Sequence, residues 1–217
     1  EFRRVLFRSV DSERSVSNFK GISFSAGGEI RITKGPSWKV TVRLDSNLQD
    51  AFEAKLSGGI LMLGFKSGTS VSDLTELIVT ISMPELVSLS VSGAADITVG
   101  KGFSGPSLNM DISGGCGFSG SLTYTEIKID VSGTASFTVE GSADKLSINS
   151  SGSTDFDGRQ LLSKTANVSL SGLGDITLAV SKELTASISG MGTISYYGSP
   201  TVKQSVSGLG QIQKINQ

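Results

Sequence analysis

Three aspartates are the residues of this 217-residue chain best placed to do chemistry. Asp155 and Asp157 stand two apart, so on a strand both side chains leave the same face. Asp175 follows Asp155 by 20 residues. Glycoside hydrolysis needs two carboxyl groups about 5 to 10 Å apart, one as acid and one as base or nucleophile. A polysaccharide lyase would also want a basic residue beside a bound cation, and Arg159 is the arginine at hand. The plainer role for these aspartates is to cap turns and keep an edge wet, which needs no partner at all.

Seven serines invite a second chemical reading. They precede glycine at Ser92, Ser113, Ser132, Ser151, Ser171, Ser189 and Ser207. A serine nucleophile usually works through histidine as base, and the chain has no histidine. Their hydroxyls are better suited to bonding from one repeat to the next or to satisfying corner amides. Gly172-Leu173-Gly174-Asp175 looks like a fragment of the nonapeptide of calcium-binding β-rolls. Those rolls repeat the aspartate because each ion takes several oxygens, whereas Thr193 and Gln211 stand at the equivalent places here. With one cysteine and no histidine, zinc and iron lack ligands. No metal and no cofactor is expected.

What positions these residues is a repeat. The glycines of the seven Ser-Gly pairs are spaced 21, 19, 19, 20, 18 and 18 residues apart, a step that marks one supersecondary unit stacked on copies of itself. Aligned on that glycine, the positions six, four and two before it and two and four after it are mostly apolar or small. The last of these reads Ile97, Phe118, Phe137, Phe156, Ile176, Ile194 and Ile212. A period of two is the signature of strands, and units of 18–21 residues match the coil of a parallel β-solenoid. Coils about 4.8 Å apart put equivalent residues directly above one another. The glycine column marks a corner where either the backbone angle or a close approach excludes a Cβ.

The outward columns hold the binding candidates. Five residues after the glycine stand Thr98, Ser119, Thr138, Asp157, Thr177 and Ser195, a flat hydroxyl-rich face suited to sugar. One residue after it, Leu173, Met191 and Leu209 form an apolar stripe confined to the C-terminal end. Such a stripe is expected to be a self-association surface or the dock of the C-terminal tail, unless the corner tucks it inward. Tyr196-Tyr197 reads as a cover for a coil end, with stacking on a sugar as the alternative. Cys116 falls in an inward column and is expected to be buried.

Composition bounds the rest. A charge content of 18% with 27 glycines suits an all-β extracytoplasmic protein, and a net charge of −1 leaves no basic field for nucleic acid. No apolar run reaches the roughly 18 residues of a membrane helix. Residues 1–12 read as a flank or a cloning/assembly scar, with the basic segment Glu1–Ser9 matching no later pattern. Residues 13–217 read as a single β-helix domain: irregular N-terminal coils over 13–84, then seven Ser-Gly repeats over 85–217. In the first part, strands are expected at Gly21–Ser25, Glu29–Thr33, Trp38–Leu44, Ile60–Phe65 and Leu77–Met83. Asp45–Leu56 would be a helical turn or a strand edge, and Lys66–Glu76 a loop. These runs would also cap the open end of the stack.

Phe19-Lys20-Gly21-Ile22-Ser23, Ile30-Arg31-Ile32-Thr33-Lys34-Gly35, Ile81-Ser82-Met83-Pro84-Glu85-Leu86 and Ser92-Gly93-Ala94 carry a family resemblance. In this order the chain resembles the auto-transporter adhesin head domains named for their "GIN" motif, across roughly residues 15 to 217, with Ser23 where the motif has Asn. The resemblance implies a single-stranded, right-handed parallel β-helix. It also implies export to the periplasm, the outer membrane or the cell surface of Bacteroidetes-like bacteria, and no established enzyme activity. The expectation is therefore a non-enzymatic envelope protein that presents a rigid face to a glycan or a surface protein, and a homo-oligomer through the apolar stripe. A carbohydrate-active enzyme using Asp155, Asp157 and Asp175 is the alternative.

Overall fold

Alternating burial runs through the repeats as the columns require. The computed structural model describes residues 9–69, 71 and 74–216. It holds sixteen strands, and no helix among the described residues. They form a β-solenoid of about 7 turns with about 19 residues per coil. Strands β9 (Ala94–Ile112), β10 (Gly115–Val131), β11 (Thr134–Ser150), β12 (Ser153–Leu170) and β13 (Leu173–Ile188) each run nearly a whole coil. β14 (Met191–Tyr197), β15 (Thr201–Val206) and β16 (Leu209–Lys214) finish the stack, and all of these pair in parallel. The register carries Phe118 onto Phe137, Phe156, Ile176, Ile194 and Ile212. Ring centroids in the phenylalanine ladder are 5.7 Å apart at both steps, with the rings tilted, a geometry favoured over a flat sandwich.

The corner glycines owe their place to crowding. None of them has a positive φ. A Cβ on Gly114, Gly133, Gly152, Gly172, Gly190 or Gly208 would instead land on the carbonyl oxygen of the corner glycine one coil back. That oxygen is fixed by a ladder bond, as in Thr134 N–H to Gly114 O at 3.0 Å. The preceding serine helps close the corner: the Ser113 hydroxyl donates to Val91 O and the Ser151 hydroxyl to Val131 O, both at 3.4 Å. Two buried polar residues break the apolar columns, Ser150 and Thr154. They bond each other at 2.8 Å across the corner, so neither hydroxyl is left unpaired.

The N-terminal part is assembled by different rules. β2 (Gly21–Phe24) and β3 (Gly28–Lys34) form a coil that lies between β8 (Ser88–Val91) with β9 on one side and β6 (Ile60–Phe65) with β7 (Leu77–Met83) on the other. The first coil in sequence is thus not the end of the stack. Beyond it, β5 (Phe52–Ser57) pairs antiparallel with β6, β4 (Lys39–Asp45) antiparallel with β7, and β1 (Ser9–Arg14) antiparallel with β4. Two sequence expectations are corrected. These are not only coils but an antiparallel lid, in which β5 and β6 form a hairpin while β4 and β1 pair with strands distant in the chain. The fold also begins at Ser9, within the 1–12 segment set aside as flank, because β1 joins through backbone pairing and through Arg14, whose guanidinium donates to Gln49 O and Oε1 at 2.9 and 2.8 Å. Glu1–Arg8 lie outside the described residues. Asp45–Leu56 resolves into a turn followed by β5.

Candidate functional site

The hydroxyl column assembles as the repeat demands. Thr98, Ser119, Thr138 and Asp157 are register partners on four successive coils, and Thr98 Oγ1 lies 3.4 Å from Ser119 Oγ. They line a groove of about 690 Å³ together with Lys101, Glu140, Arg159 and Gln160. Its cationic walls come from irregularities. Between the Val99–Gly120 and Phe103–Leu122 pairs, β9 carries Gly100-Lys101-Gly102 against the single Ser121 of β10. β12 likewise carries Gly158-Arg159 against Val139 alone. Such bulges re-aim side chains at a ladder's edge. Both cations are paired, Lys101 Nζ with Glu140 Oε1 at 3.4 Å and Arg159 Nε with Asp157 Oδ1 at 2.9 Å. Thr177 and Ser195 continue the column beyond the groove. The Ser195 hydroxyl accepts a bond from Gln213 Nε2 at 3.3 Å.

The three aspartates are each engaged. Asp155 Oδ1 accepts from the Asp175 amide at 3.3 Å where the β12–β13 pairing is interrupted, and Asp175 Oδ1 accepts from the Thr193 amide at 2.9 Å. The first stands in for a missing ladder bond, while the second adds to a β13–β14 register that is unbroken. The hydrogen bond from Arg159 holds the Asp157 carboxyl below the usual carboxylate range, against the upward push of burial. A general acid for glycoside cleavage needs the opposite shift. Among the described residues no cluster of three potential ligands could hold a metal ion. Cys116 is buried, and desolvation pushes its thiol up to about 12, which leaves it protonated and inert.

The apolar stripe stays outside. Leu173, Met191 and Leu209 are direct register partners, with relative exposures of 49, 49 and 79%. The whole column faces outward, since Ala94 and Thr134, one residue after their corner glycines, are exposed as well. Gly174 and Gly192 take positive φ, and a Cβ on either would strike the carbonyl of the residue one coil back. They stand in the column where earlier units bury Ala95, Cys116 and Ala135.

A further groove, of about 490 Å³, follows the serine corner and is lined by Ser113, Ser132 and Ser151 with Asp111, Asp130 and Asn149. Asn149 Nδ2 donates to Asp130 Oδ1 at 2.8 Å, and Lys128 pairs with Asp130 at 2.7 Å. Sequence reasoning passed over this wall. Its signal was there: the third residue before every corner glycine is Ser, Asp or Asn.

Fold and site together define a parallel β-solenoid with small polar grooves on its flanks and engaged carboxylates. The chain belongs to the family described as putative auto-transporter adhesin, head GIN domain, whose model matches residues 18–200. A putative adhesin of Bacteroides fragilis superposes with a TM-score of 0.92 at 23% identity, over 96% of this chain and 97% of that one. A putative adhesin of Parabacteroides merdae gives 0.79 at 22%, over 96% and 97%. A putative lipid binding protein of Parabacteroides distasonis gives 0.75 at 20%, over 96% and 97%. At these identities the likeness is one of fold. No curated protein matches the chain.

Proposed function

We propose that this protein is an exported, non-enzymatic binding module of the bacterial surface or envelope, which holds a glycan or a surface-protein partner along its polar flank. One observation carries the reading: Thr98, Ser119 and Thr138 stand in line on the wall of an open groove of about 690 Å³, flanked by paired charges. Rigid rungs hold the hydroxyls at a fixed repeat, so binding would cost little ordering entropy. The family membership and the adhesin-like neighbours support the class, while the engaged state of Asp155, Asp157 and Asp175 weighs against the carbohydrate-active enzyme. A glycan array on the wild type and on a Thr98→Val/Ser119→Ala/Thr138→Val variant tests it, beside a polysaccharide-degradation screen. Loss of a glycan signal in the variant supports the reading; turnover of a polysaccharide that Asp157→Asn abolishes would replace it with the enzyme.

A second reading rests on a separate observation. Leu173, Met191 and Leu209 lie exposed beside the last coil, where β15 pairs only with β13, and β16 only with β14, among the described strands. An apolar stripe continuous with an open strand edge fits a second copy of this chain.

A further inference from the structure

A slot opens on another flank of the stack, away from the hydroxyl column. Leu162, Ala179 and Tyr197 are register partners on three successive coils. The middle residue is small and buried, and Leu162 is 66% exposed. Leu162 faces outward because β12 carries Arg159-Gln160-Leu161 between its Gly158–Leu178 and Leu162–Ala179 pairs, where β13 carries nothing. Tyr196 packs against the core, so its neighbour Tyr197 is left to the outside. The two large side chains stand two rungs apart, roughly 9.6 Å at the backbone, on either side of the small Ala179.

The slot belongs to a groove of about 530 Å³, within the size range of small-ligand sites. Its rim is polar. Lys164 Nζ pairs with Asp144 Oδ1 at 2.6 Å, both about half exposed, and the Ser142, Ser181 and Ser199 side chains line the same wall. At one end Arg159 adjoins Tyr197; its hydrogen bond with Asp157 and the nearby phenol both favour the charged guanidinium. The groove around Thr138 lies on the far side of that arginine.

These features select a ligand class. β11, β12 and β13 have neighbours on both edges, and the breaks in their pairing at residues 159–161 and 180–182 are only three residues long, so the floor offers no continuous strand edge along which a peptide backbone could pair. Recognition must come from apolar faces and side-chain donors and acceptors. A pyranose ring has two C–H faces to set against Leu162 and Tyr197, and a rim of hydroxyls that takes donors and acceptors alternately. Each cation at the rim is matched by a carboxylate, Lys164 by Asp144 and Arg159 by Asp157, which favours a neutral sugar over a uronate.

We infer that the slot between Leu162 and Tyr197, floored by Ala179, is a subsite for one neutral hexopyranose ring of a glycan chain. This rests on the glycan reading proposed above and adds a second, separate point of contact. The test is titration calorimetry and saturation-transfer NMR with cellotetraose and maltotetraose on the full chain, with folding of each variant checked by circular dichroism. One of the two sugars is expected to bind the wild type. Tyr197→Ala and Leu162→Ser, both at surface positions, should weaken it tenfold or more, while Tyr197→Phe stays within threefold. Binding that survives Tyr197→Ala but is lost with Thr98→Val/Thr138→Val overturns the subsite and leaves the wider reading standing. Failure of both sugars to bind the wild type also overturns it, while the glycan array decides the wider reading independently.

Discussion

The two ends of this solenoid solve the same problem in opposite ways. A stack of coils must finish in a strand edge, and an edge recruits other strands unless it is covered. At the N-terminal end the chain doubles back: β4 and β5 lie antiparallel over β7 and β6, β1 pairs antiparallel with β4, and Val40, Val42 and Leu44 are sealed from solvent. Trp38 extends the seal, its indole N–H donating to Phe19 O at 2.8 Å. At the C-terminal end the last inward column ends in the open, with Val206 44% exposed. Stability at one end comes from tertiary closure. Along the rest of the stack it comes from repetition, each coil buttressed by its neighbours.

The largest predicted effect probes repetition directly. Gly133→Ala places a methyl group on Gly114 O, an atom held by its own ladder bond. Neither coil can yield alone, and the cost should exceed about 4 kcal/mol, the range of severe overpacking. Gly58 in the N-terminal β5–β6 hairpin has a φ of +57°, and a methyl group added there would meet nothing within 4 Å. Gly58→Ala should lose only about 1 kcal/mol, from the left-handed backbone. Urea unfolding of both variants measures the contrast; equal losses would mean that the corner is not a close approach.

Next in size is the interior ladder. Phe137 lies between Phe118 and Phe156 and is almost wholly buried. Phe137→Ala should cost about 3 to 5 kcal/mol. Ile212 occupies the same column on the last coil, where it is only partly buried, so Ile212→Ala should cost about 1 to 2 kcal/mol on area removed from water. If thermal unfolding ranks the two equally, the last coil is covered in solution.

A smaller and more specific effect belongs to the Ser150–Thr154 pair. Ser150→Ala strands the Thr154 hydroxyl in an apolar corner, at about 1 to 3 kcal/mol. Ser150→Ala with Thr154→Val removes both partners and should recover most of that loss. A double-mutant cycle in urea reads the coupling; simple additivity would show that the hydroxyls do not depend on one another.

These contrasts follow what the sequence could and could not show. Phe118, Phe137 and Phe156 were legible as vertical neighbours because repetition writes the same contact several times in one chain. Val40 and Val42 were legible as one strand face, but nothing in WKVTVRL says which strand it pairs with or in which direction. Antiparallel closure is made of backbone bonds between segments of unrelated sequence, and so is the entry of Ser9–Arg14. The insertion of β2–β3 between later coils is invisible for the same reason. Among site residues, Thr98, Ser119 and Thr138 could be aligned from spacing alone. The walls of their groove could not, because Lys101 and Arg159 sit where units differ in length and column counting fails. Leu162 was missed likewise, since the extra residues of β12 move it out of step with the corner glycines, and without it nothing marked Tyr197 as one side of a slot.

The smallest expected change in stability tests the open end. Leu173→Ser with Leu209→Ser alters exposed side chains that fill no core position, so unfolding should move by no more than about 0.5 kcal/mol. Assembly should move much more. If the stripe and the adjoining edge of β15 and β16 meet a second copy, the wild type sediments as a dimer at micromolar concentration and the double variant as a monomer. A two-fold contact buries each substituted position twice, once from each copy, so the variant loses four apolar side chains from one interface. Covering the N-terminal end instead, for example by fusing a folded partner ahead of β1, should leave the dimer intact, because that end already closes on itself. A monomeric wild type would show that Leu173, Met191 and Leu209 are tolerated in water, and the contrast between a closed end and a joining end would then reduce to one between a closed end and a bare one.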